Sequence, residues 1–166
     1  MKYAIAVLLL ICNALAQEMT DLRLKDLSGQ THSISEYRGN IVVLNFWATW
    51  CTPCKDEMPI FVEADKRYRD RGVIVVAASL DDSATRIYVS KFVHSYKMKF
   101  PVLLGATADD MHRVGLGDAV PSTIFLDPQG HVAGKILGAA KKKDVLERIE
   151  RLLGNHDGQK PEAGDR

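Results

Sequence analysis

The chain has 166 residues, 46% of them hydrophobic and 26% charged, which suits one globular domain with its own core. Its 22 basic and 21 acidic residues give a net charge of +1, and this argues against a nucleic-acid binder, which carries a clear basic excess. Three cysteines are too few for a disulfide scaffold and enough for one redox pair.

Residues 1–16 have the form of an export signal. Lys2 gives a short positive start, Tyr3 to Ala16 is apolar except for Asn13, and Ala14-Leu15-Ala16 is a small-x-small cleavage pattern. The apolar run is shorter than the ~20 residues of a membrane span. Cleavage is therefore expected, with an uncleaved anchor facing outside the cytoplasm as the alternative. Cys12 reads as inert, because Ile11 before it does not fit a lipid-attachment box. Without this segment the basic and acidic residues are equal in number, and Cys51 and Cys54 are the only cysteines left. Two close cysteines in an oxidising compartment are expected to be a redox pair or a ligand pair.

From residue 17 to 154 one domain is expected. Leu22, Leu24 and Leu27 alternate with polar residues, Ser28-Gly29-Gln30 is a turn, and Thr31 to Ile34 can return, so a small hairpin is predicted. Ile41 to Trp47 is an unbroken apolar run, the pattern of a buried, parallel strand. Met58, Phe61, Val62 and Tyr68 recur at helical spacing up to Gly72, and Val73 to Ser79 is a second buried strand. Asp81-Asp82-Ser83 offers capping side chains to a helix that would carry Tyr88, Phe92 and Tyr96 as a core stripe. Pro101 to Leu104 is a short extended piece, and Asp109 to Val114 a short helix stopping at Gly115. Ser122 to Leu126 and Val132 to Leu137 flank the turn Asp127-Pro128-Gln129-Gly130 and form a second hairpin. Lys141-Lys142-Lys143 starts a helix whose stripe of Val145, Leu146, Ile149, Leu152 and Leu153 ends at Gly154. Residues 155–166 read as a disordered tail. Parallel strands joined by helices and finished by an antiparallel hairpin imply an α/β sandwich on a mixed sheet.

Trp50-Cys51-Thr52-Pro53-Cys54-Lys55 falls where a buried strand ends and a helix begins. Free N–H groups and the positive dipole end at that place favour a thiolate. Cys51 at the helix start is the expected nucleophile, and Cys54, one turn on, can resolve its mixed disulfide. Pro53 is tolerated in the first turn. Half a zinc site looks the same, but no second C-x-x-C exists, and the five histidines form no H-x₃₋₅-H pair. No metal and no further cofactor is expected.

The stretch Asn45 to Lys55 (NFWATWCTPCK) resembles the active site of the thioredoxin superfamily, in particular the exported TlpA/ResA-like thiol–disulfide oxidoreductases. The resemblance covers roughly residues 20–154. Asn45 stands where cytosolic thioredoxins have a buried Asp, Glu57 matches the subfamily's active-site Glu, Pro59 its helix proline, and Val120-Pro121-Ser122-Thr123 its cis-proline loop. It implies a thioredoxin-like α/β/α sandwich with an added N-terminal β-hairpin. It implies that Cys51 attacks a partner disulfide, that Cys54 resolves, and that Glu57 exchanges protons with Cys54. Trp50 and the backbone at Val120 and Pro121 would receive an extended partner segment. The implied setting is periplasmic, with a membrane thiol-reductant donor, oxidised client proteins and a possible role in cytochrome c maturation. Two other readings are weighed. A thiol peroxidase would need P-x-x-x-[ST]-x-x-C, and Leu44 and Ala48 stand at those positions before Cys51. A copper carrier would need a distant histidine such as His131, and would space its cysteines C-x-x-x-C.

Overall fold

In the computed structural model, which describes residues 21–157, seven strands form one mixed sheet in the order β2-β1-β5-β4-β3-β6-β7. The strands are β1 (Arg23–Asp26), β2 (Thr31–Ser33), β3 (Ile41–Trp47), β4 (Val73–Ser79), β5 (Val102–Leu104), β6 (Ser122–Leu126) and β7 (Val132–Leu137). The helices are α1 (Thr52–Tyr68), α2 (Val89–Ser95), α3 (Ala108–Arg113) and α4 (Lys142–Asp157). β3, β4 and β5 run parallel, and β6 pairs antiparallel with β3. The architecture is the expected thioredoxin-like sandwich, with the β1–β2 hairpin joined to the sheet through β5.

β3 has no alternation because both its faces are covered, and all seven of its residues are buried. Ile41, Val43 and Trp47 pack with Met58, Phe61 and Tyr68 of α1, Phe92 of α2 and Ile149 of α4. Val42, Leu44 and Phe46 pack on the other face with Leu22, Leu24, Met111 and Val114. Strand parity therefore turns Asn45 toward α1. Gly72, at φ +77°, ends the turn after α1 and lets β4 start at once.

Four expectations are corrected. Leu27 is 44% exposed, because β1 stops at Asp26, whose carboxylate captures the N–H groups of Ser28 and Gln30. Tyr88 is 56% exposed rather than core, because α2 begins only at Val89, after a turn of 3-10 helix over Arg86–Tyr88. Asp82 holds the preceding turn through the N–H groups of Ala84 and Thr85, and Asp81 caps no helix. Gly154 does not stop α4, which continues to Asp157, so residues 155–157 are helical rather than tail. The proposed signal at 1–16, with Cys12, and the rest of the tail lie outside the described residues.

Candidate active site

β3 ends at Trp47 and α1 begins at Thr52, so Cys51 is the residue that caps α1. Its Sγ accepts the N–H of Cys54 at 3.2 Å, in the place an Asp or Ser oxygen occupies at other helix starts. Pro53 lies in the first turn, where no intrahelical N–H is called for. Cys51 and Cys54 are joined in a disulfide. Cys54 has no exposed surface and Cys51 keeps 5%, so an incoming thiol can reach only Cys51. Once the bond opens, the positive end of α1 and the Cys54 N–H both favour negative charge on the Cys51 sulfur.

Glu57 follows Cys54 by three residues on the same helix face. It is 2% exposed. One carboxylate oxygen accepts Asn45 Nδ2–H at 2.8 Å, and the other accepts the N–H of Ala140, just before α4, at 2.6 Å. Asn45 Nδ2 also donates to Thr123 Oγ1 of β6 at 3.1 Å. Asn45 Oδ1 is buried and has no hydrogen-bond partner among the described residues. Burial pushes the Glu57 carboxyl above the usual carboxylate range, against the opposite pull of the Ala140 and Asn45 donors.

On the other side of the loop, Asp81 is 1% exposed. It accepts the N–H of Thr49 at 2.9 Å, the Thr49 hydroxyl, and the Ser79 hydroxyl at 2.7 Å. The end of β4 thus fixes the segment that leads into Cys51.

The structure brings Cys51, Cys54 and Glu57 to one corner, at the C-terminal end of β3. Trp50 stands beside them with 57% of its surface exposed. Ser122 pairs with Phe46, so the Val120–Pro121 peptide, which is cis, lies at that same end of the sheet. His131 stays in the β6–β7 turn, its Nδ1 3.1 Å from Asp127 Oδ2. Among the described residues no group of three or more His, Cys, Asp or Glu side chains is placed to hold a metal. No described helix is long and apolar enough to cross a membrane.

Sequence reasoning did not assign Asp81, Thr123 or the Ala140 N–H, and it noted Asn45 only as a family marker. Asn45 did carry a signal, since one amide in a wholly apolar strand must find buried partners. Asp81 carried a misleading one, because an Asp after a strand reads as a helix cap. The Ala140 backbone carried none.

Comparison with known proteins agrees with this geometry. A model of the AhpC/TSA family matches residues 15–135. Thiol-disulfide oxidoreductase ResA of Geobacillus thermodenitrificans is 32% identical over 139 residues, covering 84% of this chain and 78% of its own. ResA of Oceanobacillus iheyensis is 36% identical over 141 residues, covering 81% and 69%. A crystal structure from Chlorobium tepidum, assigned as thiol:disulfide interchange protein DsbE, superposes with a TM-score of 0.74 at 27% identity, covering 82% of this chain and 96% of its own.

Proposed function

The chain belongs to the AhpC/TSA family and is a thiol–disulfide oxidoreductase, and we propose that it works as a dithiol reductase of protein disulfides outside the cytoplasm. The observation that carries the reading is the Cys51–Cys54 disulfide capping α1, one turn from a buried carboxylate. In the reduced protein the Cys51 thiolate attacks one sulfur of a client disulfide. The Cys51–client bond forms, the client S–S bond breaks, and the second client sulfur leaves as a thiolate that takes a proton. Glu57 accepts the Cys54 thiol proton. The Cys54 thiolate then attacks the Cys51 sulfur and closes the disulfide seen here. The first client sulfur, until then bonded to Cys51, leaves and is protonated in turn, with Glu57 as the nearby acid. Client and protein exchange two electrons, so a thiol donor must reduce Cys51–Cys54 before the next cycle.

Trp50 and the Val120–Pro121 turn receive the client chain in this reading. The N-terminal signal pattern supports delivery across a membrane, with a membrane thiol donor as the source of electrons and apocytochromes among the clients. A peroxidase reading of the family is not favoured, since Leu44 and Ala48 occupy the positions its motif needs.

The test is the reduction potential of the Cys51–Cys54 couple, read from Trp fluorescence or thiol alkylation in dithiothreitol buffers. A two-electron transition near the thioredoxin value of about −270 mV is expected. A value toward the DsbA end, about −120 mV, would overturn the direction and make the protein a disulfide-forming oxidase.

A further inference from the structure

Beside the cysteine pair, α2 and the redox loop enclose a groove of about 460 Å³. Its floor is fixed. Phe92 stacks on Tyr96 with ring centroids 4.3 Å apart and meets the buried Trp47 at 4.5 Å. Its walls are open, formed by Trp50 and Tyr88, both more than half exposed, and Ile87 next to Tyr88 is 72% exposed. Three of the five large apolar side chains exposed among the described residues thus gather at one corner. Scattered exposed apolar residues are ordinary, whereas a cluster beside a reactive group marks a binding surface. The charged residues lining the groove are Lys55 and Lys91, and no carboxylate lines it.

We propose that this groove is a specificity site for clients, and that it takes an extended segment carrying an apolar or aromatic side chain flanked by carboxylates. The inference rests on the oxidoreductase reading, because it seats the segment next to Trp50 and so brings the adjoining client sulfur to Cys51. The aromatic side chain fills the space between Trp50, Tyr88 and Phe92. The carboxylates meet Lys55 and Lys91. A segment with lysines in those places meets like charge. The fixed floor means that little ordering is needed on binding.

Three cysteine-free hexapeptides test the site on the oxidised protein: one with a phenylalanine between glutamates, its lysine counterpart, and its serine counterpart. Affinities come from backbone-amide NMR shifts. The glutamate–phenylalanine peptide is expected to bind about fivefold more tightly than the lysine one, with shifts centred on Tyr88, Lys91 and Tyr96. The gap should close at about 0.5 M NaCl, where screening is short-ranged. Lys91→Glu should reverse the ranking, and Tyr88→Ser should weaken the phenylalanine peptide toward the serine one. Equal affinities, shifts centred elsewhere, or a ranking untouched by Lys91→Glu would overturn the proposal. So would a dimer in sedimentation that Tyr88→Ser dissolves, which would give the groove to a second copy. Removal of residues 158–166 that alone shifts the same amides would give it to the chain's own end. The titration involves no electron transfer, so its outcome is separate from that of the potential measurement, which tests the redox reading.

Discussion

Glu57 and Asp81 are both buried carboxylates, and they hold opposite sides of the redox loop. Asp81 is saturated, with two hydroxyls and an amide from Thr49 and Ser79 converging on it. Glu57 has one N–H on each oxygen, and beside it lies the unpartnered Asn45 Oδ1. A protonated carboxyl needs an acceptor for its proton. A turn of the Asn45 amide would offer one at Glu57. Burial alone therefore does not make a carboxylate chemical. Place and partners decide: Asp81 fastens Thr49 to the end of β4, whereas Glu57 stands one turn from Cys54.

The largest effect should come from breaking the saturated side. Asp81→Ala leaves the Thr49 N–H and two hydroxyls without their acceptor, and each lost partner costs roughly 1–3 kcal/mol. A loss of about 3 kcal/mol is expected in urea unfolding, since the hydroxyls can turn elsewhere. A loss below about 1 kcal/mol would mean that Asp81 is no fastening. Glu57→Ala should act on chemistry instead. Resolution of the Cys51 mixed disulfide should slow about a hundredfold, equivalent to about 2.7 kcal/mol, as seen by rapid acid quench with a small disulfide substrate. Asp81→Asn should change the same rate by less than about threefold. Equal slowing by both variants would erase the distinction.

The same contrast explains what could be read from the chain. β3 and β4 were legible to the residue from their apolar runs, and β6 and β7 from the Asp127-Pro128-Gln129-Gly130 turn between them, all of them local signals. The cysteines and Glu57 were legible from their spacing and from a family resemblance. Tyr88 was misread because period alone does not say where a helix starts, and the 3-10 turn before α2 turns that side chain outward. Asp81 was misread for the complementary reason. Its partner Thr49 lies 32 residues away, and only the parallel pairing of β3 with β4 brings the two together.

A smaller, pH-dependent effect follows from the raised Glu57 pKa. The folded protein keeps this proton at a pH where the unfolded chain, near its ordinary value of about 4.3, has already lost it. Unfolding then releases a proton. The Glu57 contribution is therefore complete below the ordinary value and is lost as pH rises through the shifted one. Urea unfolding of the oxidised protein across that window should show stability falling with pH. Glu57→Gln should flatten that slope. An unchanged slope would place the titration on another group.

The smallest effect separates the carboxylate from the amide that orients it. Asn45 Nδ2 donates to both Glu57 and Thr123, and Thr123→Val removes only the second acceptor while keeping the shape of the buried side chain. Urea unfolding should register about 1 kcal/mol, the ordinary worth of one buried hydrogen bond. Glu57 still meets Asn45 and the Ala140 N–H in this variant, so its proton has the same place to go. Mixed-disulfide resolution should then slow by less than about threefold. If Thr123→Val slows resolution as far as Glu57→Ala does, the proton is governed by the anchored Asn45 amide as much as by the carboxylate. Glu57 would then need its setting held as tightly as that of Asp81.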